Sequence, residues 1–360
     1  MQAPQEPVAG RTILVTGCCG TVGGELVRQL ADGMHGAPAR IVGIDNNESE
    51  IFYLEERYRD RDDIEFSCCD VRDIDALRSR MPGVDTVFHA AALKHVVVCE
   101  RDPYEAVRTN VEGVQNLIVA AREAKVRLFI NMSSDKAVNP TNVMGTSKLM
   151  GERLVSAANL RSATPVFAST RFGNVVGSRG SVVPLLVNQI REGRPITITD
   201  RRMTRFVMTI AEAASMVVDS ARLARGGEVF VTRMPTVRTE DLAEAIVQEA
   251  APALGIDPAA VERRYIGAKT GEKLFEELMT EEETTRAREA GRFFVLLPAF
   301  LGLYRGVAAS HADMPKVSDL GSSYRSDTGP YLDVAGIREM LRRGAALGLP
   351  AAHAVAAARD

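Results

Sequence analysis

A doubly wound parallel α/β sheet with a smaller, interleaved C-terminal lobe is predicted by three features of the 360-residue chain. Short apolar runs alternate with helical stretches through the first half. Those runs are apolar on both faces, as parallel strands covered by helices on either side must be. A glycine-rich turn, TGCCGTVGG, joins the first run to the first helical stretch.

The elements follow in order. Strands are expected at residues 12–16, 40–45, 64–70, 86–91, 127–134 and 165–174. Helices are expected between them at 25–32, 103–124 and 142–160, the second with Asp102 as N-cap and Pro103 at the first helical position. This is a βαβ rhythm. Beyond about residue 175 it loosens into helices at 184–193, 210–224 and 239–255, the last ended by Gly255, and strands at 196–200 and 228–233. No internal repeat is visible. The expected division is 11–175 for a dinucleotide-binding domain, 176–290 for a nucleotide-sugar lobe interleaved with the last strands of the sheet, and 291–360 for a C-terminal extension.

Composition excludes several partners. The net charge is −3 with no Lys/Arg block, which argues against nucleic acid. The most apolar run, FFVLLPAFLGLY (293–304), is roughly half the length a bilayer span needs and contains Pro298. No basic segment leads into an apolar run at the N-terminus, so a signal peptide is not supported and a cytoplasmic location is expected. Cys18, Cys19, Cys68, Cys69 and Cys99 lack a zinc-binding spacing. They read as small apolar core residues in a reducing compartment, and no metal is expected.

The glycine turn carries the first chemistry. Gly17, Gly20 and Gly23 have TGxxGxxG spacing at a strand-to-helix junction. There, absent side chains let a pyrophosphate approach backbone N–H groups and a positive helix end. Asp45, ending the second strand, can take both ribose hydroxyls of an adenosine and would repel a 2′-phosphate. No arginine follows it directly, so NAD is expected rather than NADP. Asp70, ending the third strand, either meets the adenine or caps a helix.

Six stretches carry a resemblance: AALKHVVVCERDPYEAVRTNVEGVQN, SSDKAVNPTNVMGTSK, RFGNVVGSRGSVVPLL, MTRFVMT, GEKLFEEL and, more weakly, SYRSDTGPYLDVAGIREML. The chain resembles the extended short-chain dehydrogenase/reductases. More finely, it is similar to nucleotide-sugar 4,6-dehydratases of the polysaccharide-biosynthesis type, which act on UDP-N-acetylglucosamine. One branch of that family has a tyrosine four residues before the lysine that ends the second stretch, Lys148 here. A membrane-anchored branch has methionine within NPTNVMG, as here at Met144. The resemblance is to the catalytic domain of that branch alone, and its transmembrane segments and second nucleotide-fold region are not expected here.

The resemblance implies a redox-neutral dehydration. NAD takes a hydride from sugar C4, water leaves across C5 and C6, and the hydride returns to C6, with retention at C5. It implies Asp135 as acid at the C6 hydroxyl, Lys136 as base at C5, Ser134 as a hydrogen-bond partner of the C4 oxygen, and Lys148 on the nicotinamide ribose. Without the phenol, Asp135 is expected to start ionised, take the C4 hydroxyl proton and deliver it at C6. Met144 is expected to be a spacer leaving room for the sugar. Cofactor contacts are expected from Thr21, Val22, Val71, Ala90, Ala91 and Lys94 as well as the glycines. Lys94 and His95 would border the sugar. Asn174, Arg179 and Arg205 would serve the diphosphate, Thr197 the pyrimidine and Glu272 the nucleotide ribose. Glu100 is a weak candidate, and Asn110 is expected to brace strand five. The helices at 103–124 and 142–160 would pair across a homodimer. Other readings are a 5,6-dehydratase or a C4/C5 epimerase on another nucleotide sugar, or an NAD-binding regulatory protein without catalysis. The segment 293–313 matches no motif and is expected to be an interface or a flap.

Overall fold

The computed structural model describes residues 6–160, 164–268, 271–304, 311–317 and 323–348. The chain runs β1 (Thr12–Thr16), α1 (Thr21–Ala31), β2 (Arg40–Asp45), α2 (Glu48–Arg57), β3 (Ile64–Cys68), α3 (Ile74–Arg80), β4 (Thr86–His89), α4 (Val96–Arg101), α5 (Pro103–Val107), α6 (Gly113–Glu123), β5 (Leu128–Ser134), α7 (Val143–Ala157) and β6 (Val166–Phe172). It continues through β7 (Asn174–Val175), α8 (Val182–Arg191), β8 (Ile196–Ile198), β9 (Thr204–Met208), α9 (Ile210–Leu223), β10 (Val229–Thr232), β11 (Thr236–Arg238), α10 (Thr239–Ala253) and β12 (Arg263–Tyr265). Next come β13 (Glu277–Met279), α11 (Glu281–Thr285), β14 (Ala287–Ala290), β15 (Phe293–Leu296) and a last helix at Val334–Arg343.

Nine of these strands make one sheet, ordered β14-β15-β10-β6-β5-β4-β1-β2-β3. From β3 to β10 every pairing is parallel; β15 and β14 close the other edge antiparallel. The strand order reverses between β1 and β4, which leaves a crevice at their carboxyl ends. Leu14, Val42, Val87, Phe129 and Phe167 from the strands pack with Leu77, Leu117 and Val155 from α3, α6 and α7 in one buried cluster. Helices on a parallel sheet need both faces covered, and the two-sided apolar runs supply that burial.

Several short helices begin on side-chain caps. Asn47 accepts from the Glu50 N–H at α2, and Asp73 from Asp75 and Ala76 at α3. Asn142 accepts from Gly145 at α7. Thr280 and Glu283 form a reciprocal capping box at α11. The helix expected over 103–124 is realised as α5 and α6 joined by a wide π turn at Arg108–Glu112. Pro103 opens it, although Asp102 makes no side-chain cap.

The chain divides into two compact units. The first comprises Met1–Phe172, Ala213–Arg233 and Glu277–Tyr324; the second Gly173–Glu212, Met234–Glu276 and Arg325–Asp360. The expected boundaries at 175 and 290 therefore change. The strand expected over 165–174 ends at Phe172, because Gly173 lies against Phe206, where a Cβ would come within 2.6 Å of that side chain. The expected extension 291–360 is split between the units. Its first part is no flap: β15 pairs antiparallel with β10, from Val229↔Leu296 to Thr232↔Phe293, and all four of its residues are buried. Residues 305–310 lie outside the described residues. The second unit holds its own core, in which Val183, Leu186 and Ile190 of α8 meet Ile246 and Val247 of α10 and Ile337 and Leu341 of the last helix.

Candidate active site

The crevice of the first unit opens into a cavity of about 370 Å³. Gly17, Gly20, Asp45, Asp70, Val71, Ala90 and Ala91 line it. Gly17 has φ +69°, and a Cβ there would stand 2.6 Å from the Ala91 nitrogen. Gly23 lies inside the turn, where a Cβ would stand 2.1 Å from the Gly17 oxygen. It lets α1 pack on the loop rather than lining the cavity. Gly20 is the N-cap of α1 and provides no side-chain cap, and the first turn holds no acidic residue. That leaves a positive helix end suited to a pyrophosphate. Asp45 is held by two backbone donors, Cys19 N–H at 3.1 Å and Asn47 N–H at 3.0 Å. These residues fit a dinucleotide.

Beneath the loop, His89 Nδ1 lies 2.7 Å from Thr16 Oγ1. Burial pushes this imidazole down to about 3, so it is neutral and ties β4 to β1. Asp70 is not a helix cap, since Asp73 has that role. Its carboxylate is forked to Arg72, whose guanidinium holds it below the usual carboxylate range, and Arg72 also reaches Glu105 at 2.8 Å. Arg72 and Glu105 line the cavity together with Asn46, Cys69, Ala92, Leu93 and Thr109. Sequence reasoning missed this group. Thr21, Val22 and Lys94 are not among the lining residues.

At the carboxyl end of β5 the chain turns through one 3₁₀ turn, Asp135–Ala137. Ser134 Oγ donates to Asp135 Oδ1 at 2.5 Å, and Lys136 Nζ pairs with the same oxygen at 3.0 Å. The Asp135 side chain is fully buried, while 27% of the Lys136 side chain is exposed. Acid, ammonium and hydroxyl therefore share one oxygen. Lys148, on α7, donates from Nζ to the Met132 carbonyl at 2.6 Å. Burial pushes its ammonium down to about 8, with Glu152 opposing the shift.

What holds this turn is Gly145. A Cβ on it would stand 2.2 Å from the Lys136 oxygen, so α7 packs backbone to backbone against the turn. Met144, beside it, is 3% exposed and packs with Cys99, Ala106, Leu93, Val96 and Val143. It fills a small core cluster. Glu100 accepts from the Val143 N–H at 2.6 Å and so helps to start α7. Asn110 sits on the π turn and does not brace strand five. It bonds both backbone groups of Leu93 and the Ser147 hydroxyl, because the wide turn aims it at the loop after β4. Lys94 and His95 are exposed at the start of α4.

The second unit carries a separate cavity of about 310 Å³. Asn174, Thr197, Arg205 and Glu272 line it, whereas Arg179 does not. Arg205 bonds the Thr204 carbonyl at 2.7 Å and lies 3.7 Å from Glu276. Thr197 is fixed at both its N–H and its hydroxyl by Gln189. Val182, Leu185, Leu242 and Ile266 supply apolar walls. A slot with a few polar groups between apolar walls suits a flat base and its ribose.

The family described as polysaccharide biosynthesis protein matches residues 13–298. The uncharacterized membrane protein MJ1061 of Methanocaldococcus jannaschii is 48% identical over 290 residues, 80% of this chain and 86% of that one. The capsular polysaccharide biosynthesis protein CapD of Staphylococcus aureus is 38% identical over 77% of this chain, which spans 46% of CapD. The UDP-glucose 4-epimerase of Rickettsia bellii is 37% identical over 79% of this chain and 82% of its own length. Among solved structures, Pen from Bacillus thuringiensis superposes with a TM-score of 0.85 at 34% identity, covering 94% of this chain and 99% of that one. DesIV, a dTDP-glucose 4,6-dehydratase of Streptomyces venezuelae solved with NAD, shares the fold at 22% identity and a TM-score of 0.65, over 73% of this chain and 86% of its own. With its family matched across the sheet and both cavities, the chain belongs to the polysaccharide biosynthesis protein family and has the extended short-chain dehydrogenase/reductase fold.

Proposed function

We propose that this protein is an NAD-dependent dehydratase of UDP-N-acetylglucosamine, giving a UDP-4-keto-6-deoxy sugar with retention at C5. The observation that carries the reading is the buried Asp135 joined to both Ser134 and Lys136 at the end of β5. Dehydration needs an acid at one carbon and a base at its neighbour, and this turn offers both. A nicotinamide dinucleotide bound at the glycine loop supplies the hydride acceptor for C4 and the donor for C6. Asp45 at the ribose position favours NAD.

The remaining work belongs to the chain. Asp135 takes the C4 hydroxyl proton and later gives it to the departing C6 oxygen as water leaves, while Lys136 removes the proton at C5 and returns one, exchanged with solvent, to C5 as the hydride reaches C6. Ser134 orients the C4 oxygen, and Lys148 stabilises negative charge growing there. Met144 is packed into a core cluster and takes no part in proton transfer. Arg205, Asn174, Thr197 and Glu272 hold the nucleotide end. The exposed Val97, Val98, Tyr104 and Val107 of α4–α5 and Met150 of α7 form the face assigned to a second copy, with light scattering as the check.

A second reading, C4 epimerisation, is favoured by the 37% identity to a UDP-glucose 4-epimerase. An epimerase has no use for a base at C5. Purified protein incubated with UDP-N-acetylglucosamine in deuterium oxide separates the two. A dehydratase yields a product lighter by one water and carrying deuterium at C5. A product of unchanged composition, inverted at C4, would overturn the dehydratase.

A further inference from the structure

The glycine loop contains two adjacent thiols that the proposed reaction does not use. Cys18 and Cys19 Sγ lie 4.0 Å apart, and with an Asp45 oxygen all three ligand atoms fall within 4.8 Å of one another. Two sulfurs on a tetrahedral zinc ion, with Zn–S near 2.3 Å, stand ~3.8 Å apart. The thiols are thus already close to a chelating separation. The Asp45 carboxylate needs a swing of roughly 1 Å to reach bonding distance on the same ion.

The fold holds this arrangement in place. Cys18 is fully buried and packs on β2, where a Cβ at Gly43 would stand 3.1 Å from its own Cβ. The Cys18 N–H donates to Ile44 and the Cys19 N–H to Asp45. Both sulfurs lie beside the carboxylate that ends this strand.

We propose that Cys18, Cys19 and Asp45 form a binding site for a soft divalent cation, zinc or cadmium in class, and that its occupation excludes the dinucleotide. The ion takes two thiolates and one carboxylate oxygen, releases the two thiol protons to solvent, and keeps a water in its fourth position. Exclusion follows because Asp45 cannot hold an ion and the adenosine ribose together. The competition rests on the dinucleotide reading of the loop, whereas the metal stoichiometry stands without it.

The test titrates the full chain with cadmium. Wild type should take one ion with a thiolate-to-metal charge-transfer band, and its cadmium resonance should report two sulfur ligands. Cys19→Ala should lose the band, while Cys68→Ala, which removes the exposed thiol of the other vicinal pair, should keep it. With cadmium at ten times its own dissociation constant, the apparent Kd for NAD should rise roughly elevenfold, the value for mutually exclusive ligands. A band that survives in Cys19→Ala, or a resonance without two sulfurs, overturns the site. A band that behaves as expected with an unchanged NAD affinity overturns the exclusion alone. The wild-type resonance decides the matter even if Cys19→Ala does not fold.

Discussion

The two cavities are built from different material. In the first unit the wall is mostly backbone and short side chains: Gly17, Gly20 and three alanines, with Asp45 set by two backbone N–H donors. In the second unit the wall is side chains from separate segments, around Asn174, Thr197, Arg205, Thr239, Ile266 and Glu272. A backbone-built wall tolerates almost no added atom. A side-chain wall loses one contact at a time. Substitutions should therefore act in an all-or-none way in the first unit and by degrees in the second.

The largest effect is expected at Asp135. Asp135→Asn keeps the shape and removes the proposed proton carrier, so kcat should fall by about 10³ with NAD binding retained. Unimpaired NADH formation in that variant would refute the assigned proton route. Gly145→Ala tests the backbone half directly. The added Cβ must displace the turn bearing Asp135 and Lys136, and a displacement near 1 Å costs about 100-fold in turnover. A fully active Gly145→Ala would show that the close approach to Lys136 is not required.

Arg205→Ala should act by degrees. Loss of a charged hydrogen bond to the nucleotide is worth about 1.5–3 kcal/mol, a roughly 10- to 100-fold rise in KM with kcat little changed. An effect on kcat alone would move Arg205 from binding to chemistry. The pH profile comes next. Lys148 is charged below a value near 8 and neutral above it, so the rate should fall above pH 8, by about tenfold per unit once the ammonium is lost. A rate that stays level to pH 10 would remove Lys148's charge from the mechanism. The smallest effect is expected at Met144. Met144→Leu conserves volume in its cluster and should cost under about 1.5 kcal/mol with activity retained. A melting curve and one turnover assay check it.

The same contrast explains what was legible in the sequence. The glycine loop and Asp45 follow from local backbone rules, whereas Ser134, Asp135 and Lys136, though contiguous, took their roles from the family resemblance. Asn174, Thr197, Arg205 and Glu272 came into view only through resemblance to a family, because nothing local brings them together. Arg72, Leu185 and Ile266 were missed, since a common arginine or an ordinary apolar residue gives no sign of which space it lines. Gly145 was overlooked beside Met144, although its need arises from a backbone oxygen nine residues earlier. The π turn was also hidden: RTNVE has the composition of plain helix, and only the bonds of Asn110 to Leu93 and Ser147 reveal why the turn is wide. Strand β15 gave an apolar signal without a partner, which β10 supplies.

The order in which the chain is made matters for this sheet. Residues up to Phe172 supply six adjacent strands of the sheet, β6-β5-β4-β1-β2-β3: β6 has β5 on one side, but its other edge waits for Val229–Thr232, and that strand in turn waits for Phe293–Leu296. A ribosome must add more than fifty residues before the first of these arrives. Until then β6 offers an open row of amides and carbonyls to any passing strand. Nascent chains halted shortly after Phe172 should accordingly depend on chaperone cover, and those carried past Leu296 should not.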